Sequence, residues 1–199
     1  VSHRLLNELS GKLTCGTVHL YPSLNPGGMR SRQRYFPMTQ TDLNRKFPGK
    51  VDGDPSERHI WSIWSDIKSR KPAAIIDLHT DSGHAVPYAL VDRVLGPDKG
   101  LSDRCLRLAR SSGLLTIFEY PIDLYRQYYL DRSLAGVAVN HLNTMAITLE
   151  VGPRRRIDPE AVNTAYQAVL GMLCGLGMVD DSYMQEKEQP KVLLRRGQG

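Results

Sequence analysis

The chain lacks any hydrophobic run long enough to cross a bilayer. Its apolar runs are short segments such as 73–76 and 145–149, and none approaches the ~20 residues that a spanning helix requires, so no membrane partner is expected. Cysteine is scarce too. The three residues Cys15, Cys105 and Cys174 are odd in number and widely spaced. That suits neither a disulfide framework nor a CxxC zinc cluster, and it points to a reducing, cytoplasmic setting. There is no initiator methionine and no charged-then-apolar leader, so no targeting segment is legible. Internal repeats are missing. No nucleic-acid-binding motif frames the basic residues, and no nucleic-acid partner is expected although 26 Lys and Arg face 21 Asp and Glu. The resulting charge of +5 favours anionic ligands only in a general way.

With 41% hydrophobic and 24% charged positions over 199 residues, collagen, coiled coil and wholesale disorder are excluded. A single domain of this length buries roughly 70% of the surface of its unfolded chain. Strand and helix patterns alternate along the sequence. Residues 15–21 read as a strand, followed by a loop over 22–55 rich in Pro, Gly and Asn, which argues against regular elements there. Loops beyond ~12–15 residues usually bind or catalyse something, so this loop is a functional candidate. Residues 56–70 read as a helix, with Ile60, Trp61, Trp64 and Ile67 spaced by three or four and a cap at Asp54 or Ser56. Apolar runs at 73–79, 88–92, 114–119 and 145–151 predict buried strands, and 101–112 and 159–176 predict helices. Asp158 caps the last helix and Gly177 ends it. The class is α/β with a mostly parallel or mixed central sheet, in which ligands sit beyond strand ends.

Two of those strands finish on ionisable residues. His79 closes AAIIDLH, where a rigid strand end suits an imidazole that ligates a metal; the alternative is a hydrogen-bonded histidine at a sheet margin. Asp77, two residues earlier and on the same side, is placed to support it. Glu150 closes MAITLE, where partial desolvation raises proton affinity as a general base requires; the alternative is a salt-bridged carboxylate. In the long loop, Arg30, Arg32, Arg34, Arg45 and Lys46 could clamp a carboxylate through paired hydrogen bonds, although plain surface charge is preferred for Arg30, Arg32 and Lys46. Arg154, Arg155 and Arg156 are either a substrate-attracting rim or solubility charge. Cys105 and Cys174 fall on apolar helix faces and read as core. His3, His19, His59, His84 and His141 show no metal-ligand spacing.

Taken in order, DLNRKFPG at 42–49, IDLHT at 76–80 and TLEVGP at 148–153 resemble the succinylglutamate desuccinylase and aspartoacylase branch of the zinc carboxypeptidase superfamily. The likeness runs from NPGGMR at 25–30 through the helix after Glu150. The resemblance implies an α/β/α sandwich around a mixed eight-stranded sheet, with one catalytic zinc per complete site held by His, Glu and His. By the same resemblance, His79 is the second histidine ligand, Glu150 the general base, and Asn44 and Arg45 the binders of the substrate carboxylate. Arg34 is a further arginine near the substrate or the reacting carbonyl, and Tyr128 and Arg132 form a pair that contacts the acyl group.

The implied activity is a zinc-dependent amide hydrolase that removes an acyl group from a small acidic N-acyl amino acid. The alternatives are a metallocarboxypeptidase that trims peptide C-termini and a catalytically dead carboxylate-binding module. Self-association into a homo-oligomer is left open. One departure stands out: the family's first metal motif, H-x-x-E, occurs nowhere in the sequence. Leu6 stands at the third place after His3, and Ser62 after His59. The opening VSHRLLNEL reads as a helix entered partway, since no side chain precedes it to cap the first turn. The expectation is a piece truncated at both ends, with a partial catalytic domain over 1–179 and a polar linker over 180–199 toward a further domain. Such a piece is expected to hold metal weakly and to be impaired or inactive.

Overall fold

The computed structural model describes residues 1–82, 86–153, 156–183 and 192–194. Five strands form one mixed sheet in the order β1-β4-β2-β3-β5. They are β1 (Ala74–His79), β2 (Tyr88–Val91), β3 (Leu115–Phe118), β4 (Met145–Glu150) and β5 (Val192–Leu194). β1 runs parallel to β4, β2 antiparallel to β4, and β3 parallel to both β2 and β5. The fold is thus α/β with a mixed central sheet, as its patterning predicts, although the described residues hold five strands rather than eight.

The helices form where capping and apolar spacing coincide. α3 (Pro55–Ser69) starts with a complete capping box: Asp54 accepts from the backbone of Ser56 and Glu57, and the Glu57 side chain accepts from Asp54 N–H. Proline at its first position is already set for helix. Ile60, Trp64 and Ile67 form its buried stripe. α4 (Lys99–Ser111) is capped by Asp98 and α7 (Pro159–Gly175) by Asp158. These two helices meet closely, because Gly171 presents no side chain to the Ser111 carbonyl, which a Cβ would strike. Cys105 and Cys174 are buried, as their helical positions predict, and Cys15 is exposed. Strands β2 and β4 are the most enclosed part of the sheet, with Ala89, Val91, Ala146, Ile147 and Leu149 fully or almost fully buried.

Three stretches differ from the sequence reading. Residues 15–21 form no strand: residues 18–22 line a groove of about 340 Å³ beside α1 (Ser2–Glu8) and the end of α3, together with Asp66 and Arg70 among others. Alternation of Val18 and Leu20 inward suits a strand, but a strand also needs a neighbour's backbone, and none is within pairing distance among the described residues. The loop at 22–55 contains regular turns after all. Asn25 caps the short helix α2 (Pro26–Arg30) by accepting from Gly28 N–H, and Asp42 caps the 3-10 turn Leu43–Arg45 by accepting from Asn44 N–H. Between β3 and β4, where periodicity is weak, lie α5 (Ile122–Gln127), the 3-10 turn Leu130–Arg132 and α6 (Leu134–His141). Within 180–199, the described part includes a 3-10 turn, Asp181–Tyr183, and strand β5, a short ladder that the polar composition of that stretch conceals.

Candidate active site

Strand register brings the first two groups together. His79 pairs with Glu150 across the parallel β1–β4 ladder, and Glu150 faces Tyr88 on β2. Paired residues project to the same face, so the imidazole and the carboxylate emerge side by side, on strands ~4.8 Å apart. Two residues down the same face lie Asp77, Thr148 and Leu90. The buried Asp77 places Oδ2 2.8 Å from His79 Nε2. Its charge is the main reason that His79 is raised to about 9; burial opposes the shift, and the Glu150 carboxylate adds to it. Without metal the ring is therefore protonated at neutral pH, and a metal would have to displace that proton.

The 3-10 turn Leu43–Arg45 crosses above this face. Asn44 is held by its Oδ1, which accepts from Leu134 N–H at the start of α6 (2.8 Å), and its Nδ2 lies 3.5 Å from His79 Nε2. Arg45 points the other way. Its Nε donates to the carbonyl of Tyr128 (2.9 Å) and its Nη1 to the carbonyl of Asn44 (2.7 Å). Neither partner carries charge, so the guanidinium is oriented without being neutralised by a hydrogen-bonded carboxylate. Arg34 differs: Nε and Nη2 both donate to Asp42 Oδ2, at 3.0 and 2.8 Å, which occupies the fork a substrate would need. It is still close enough for its charge to reach His79.

The structure thus brings Asn44, Asp77, His79 and Glu150 together at the ends of β1 and β4, with the charge of Arg34 within reach and Arg45 held beside Tyr128. Tyr128 joins through its carbonyl, while its exposed ring packs edge-on against Tyr120 (5.3 Å). Arg132 is exposed, and its guanidinium lies over the Tyr129 ring (5.3 Å). It makes no hydrogen bond or ion pair to the other site residues among the described residues. Arg30 and Arg32 are exposed; Lys46 is half-buried and pairs with Asp54. Arg154, Arg155 and His84 lie outside the described residues. Arg156 is exposed and pairs with Asp158 (3.1 Å).

The sequence reading passed over one group on this face. Asp92, immediately after β2, continues the line Tyr88–Leu90 and is buried with Tyr125 of α5, whose hydroxyl donates to Asp92 Oδ1 (2.5 Å). Burial pushes its carboxyl up to about 7. The Tyr125 hydrogen bond and the charge of Arg45 oppose this, while Glu119 and Asp77 reinforce it. The signal was available, since Asp92 and Glu119 also end apolar strands.

A catalytic zinc takes three protein ligands and leaves a fourth position for water. His79 suits one of these places: with Nε2 turned to Asp77, Nδ1 is left for a metal, and the carboxylate fixes the ring as metal-bound histidines require. Among the described residues no group of three His, Cys, Asp or Glu side chains is arranged to hold a metal ion. The described residues therefore offer one ligand, not a full set. No helix among them is long and apolar enough to cross a membrane.

Comparison with known proteins identifies relatives of this chain. The family model of the succinylglutamate desuccinylase/aspartoacylase catalytic domain matches residues 1–176. The chain is 24% identical over 196 residues to the N-alpha-acetyl-L-2,4-diaminobutyric acid deacetylase of Halomonas elongata, covering 95% of this chain and 54% of that protein. In fold it is similar to the product-bound ectoine utilization protein EutE (DoeB) from Ruegeria pomeroyi, with a TM-score of 0.78 at 18% identity, over 99% of this chain and 57% of that one. A succinylglutamate desuccinylase/aspartoacylase from Rhodobacter sphaeroides gives 0.77 at 20% identity, over 98% and 57%. The chain spans a little over half the length of these relatives.

Proposed function

Starting from a chain that belongs to the succinylglutamate desuccinylase/aspartoacylase catalytic-domain family, we propose that it serves a hydrolase that cleaves the amide of a small N-acylated amino acid. The observation that carries this reading is the pairing of His79 with Glu150 at the carboxyl ends of adjacent parallel strands, with Asn44 beside the imidazole. The name of the Halomonas relative makes an N-acetylated amino acid the first substrate to try.

Each residue has a task that follows from its surroundings. Arg45 meets the substrate carboxylate, because its guanidinium is aimed by two main-chain carbonyls and still carries an unspent charge. A guanidinium binds a carboxylate through two parallel bonds. Asn44, immobilised by Leu134, presents its amide to the same ligand or to the reacting carbonyl. Glu150 accepts a proton from the attacking water and returns it to the departing amine, without which the amine would leave as a poor anion. Asp77 keeps His79 in one orientation.

Zinc is part of the proposal for the complete site, with His79 as one ligand. When bound, it supplies a polarised carbonyl and a water acidified from 15.7 to roughly 7. None of the residue roles above is derived through it. The three unpaired cysteines suit a cytoplasmic enzyme.

The test is a hydrolysis assay with zinc across N-acetyl-L-2,4-diaminobutyrate, N-acetylaspartate, N-succinylglutamate and short peptides, with the metal content of the same sample measured. Release of amino acid from one of the acylated substrates supports the reading. Cleavage confined to peptides would replace it with a carboxypeptidase. Carboxylate binding without turnover, in protein loaded with zinc, would replace it with a binding module.

A further inference from the structure

The buried pair Asp92 and Tyr125 touches none of the groups given a chemical task above, yet it lies one step from Arg45. α5 has only six residues, too few to be stable alone, and Tyr125 is its single buried side chain. That side chain is completely enclosed, and its hydroxyl donates to Asp92 Oδ1 at 2.5 Å. On its other side α6 presses against the hydroxyl: a Cβ on Gly136 would lie 2.8 Å from Tyr125 Oη. The body of the helix is therefore fastened to the end of β2 through this hydroxyl. Its C-terminal cap residue is Tyr128, whose carbonyl accepts from Arg45 Nε.

We propose that Asp92 and Tyr125 are positioning residues for Arg45: they fix α5, and through the Tyr128 carbonyl they set the direction in which the guanidinium meets the substrate carboxylate. The connection runs from β2 to Asp92, to Tyr125, along α5 to the Tyr128 carbonyl, and so to Arg45. Burial first, and then the charge and hydrogen bond of Asp92 and the charges of Glu119 and Asp131, hold the Tyr125 hydroxyl protonated, hence as a donor. The proposal rests on the reading of Arg45 as the carboxylate binder only for its functional consequence; the mechanical link stands or falls by itself.

The link can be observed without turnover. In the chain labelled with [15N]arginine, the Nε–H resonance of Arg45, assigned by its loss in Arg45→Lys, reports the bond to Tyr128. Arg70 is the internal control, since its Nε is held at a distant place by Asp66 and Tyr21. Tyr125→Phe, which removes one oxygen, is expected to accelerate solvent exchange of the Arg45 Nε–H at least fivefold and to leave Arg70 unchanged. Asp92→Asn, which retains a carbonyl acceptor for the hydroxyl, is expected to keep most of the protection.

Unchanged Arg45 exchange in Tyr125→Phe overturns the proposal. Equal acceleration at Arg45 and Arg70 also overturns it, because it signifies general loosening. Titration with N-acetyl-L-2,4-diaminobutyrate then separates the two readings. If Arg45→Ala binds this probe as the unaltered chain does, the assignment of Arg45 to the carboxylate fails, whatever the exchange rates show. If Arg45→Ala loses binding, Tyr125→Phe is expected to raise the dissociation constant severalfold.

Discussion

The two halves of the sheet use the same sequence device for opposite ends. In the β1–β4 half, apolar strands finish on His79 and Glu150, which pair across the ladder and sit half-buried at its end. In the β2–β3 half, apolar strands lead into Asp92 and Glu119, both buried, with Asp92 bonded to Tyr125 of α5. The difference comes from what lies over each end. Where a turn such as Leu43–Arg45 leaves room, an ionisable residue keeps access to ligand; where a helix closes the space, desolvation raises the carboxyl's proton affinity and makes it a fixture. An acid at the end of a buried strand is thus evidence of a polar site, and its cover decides whether that site is chemical or mechanical.

The sharpest way to test this contrast is at its reactive end. In the active enzyme, Glu150→Gln is expected to lower turnover by about 10²- to 10⁴-fold, the range of a lost general base, with little change in a urea unfolding midpoint. Retained turnover would remove Glu150 from the chemistry.

The mechanical end should show its character in the pH dependence of stability. Asp92 is raised from its ordinary value to about 7 on folding, so between about pH 4 and pH 7 the folded state binds a proton that the unfolded chain has released. Its contribution is therefore complete below pH 4 and is lost as pH rises to 7, by up to about 4 kcal/mol. Asp92→Asn should flatten the fall in urea-unfolding free energy from pH 5 to pH 8. An identical slope in the variant would show that Asp92 does not titrate there.

A smaller effect distinguishes the two arginines Arg34 and Arg45. Arg45→Ala should weaken substrate binding by about 10- to 100-fold, as loss of a charged hydrogen bond implies, and should do so in KM more than in kcat. Arg34→Ala, whose fork is already taken by Asp42, is expected to have a several-fold smaller effect on KM. The reverse order in steady-state kinetics would exchange their roles. Least of all, Arg156→Ala removes one exposed ion pair, screened by solvent, and should leave the thermal unfolding midpoint almost unchanged.

Much of this architecture could be read without coordinates, for identifiable reasons. Asp54 and Asp158 mark helix starts because a carboxylate before Pro satisfies the first free N–H groups locally. The buried strands announce themselves through runs such as AAII and MAIT. His79, Glu150, Asn44 and Arg45 were singled out from their positions at strand ends and from the three ordered motifs. What failed were inferences that depend on a neighbour. Residues 15–21 have strand alternation but no ladder partner among the described residues. α5 and its Tyr125 carry too short a pattern to register as a helix. Val192–Leu194 become a strand only through the exposed edge of β3.

Sequence alone determined the periodicity, the caps and the order of the motifs, since each depends on residues within a turn or two of one another. Tertiary structure alone decided that Arg34 is spoken for by Asp42 while Arg45 is not, and that Asp92 is sealed under Tyr125. Those outcomes turn on desolvation and on distances between groups up to 83 positions apart in the chain, where local pattern carries no information.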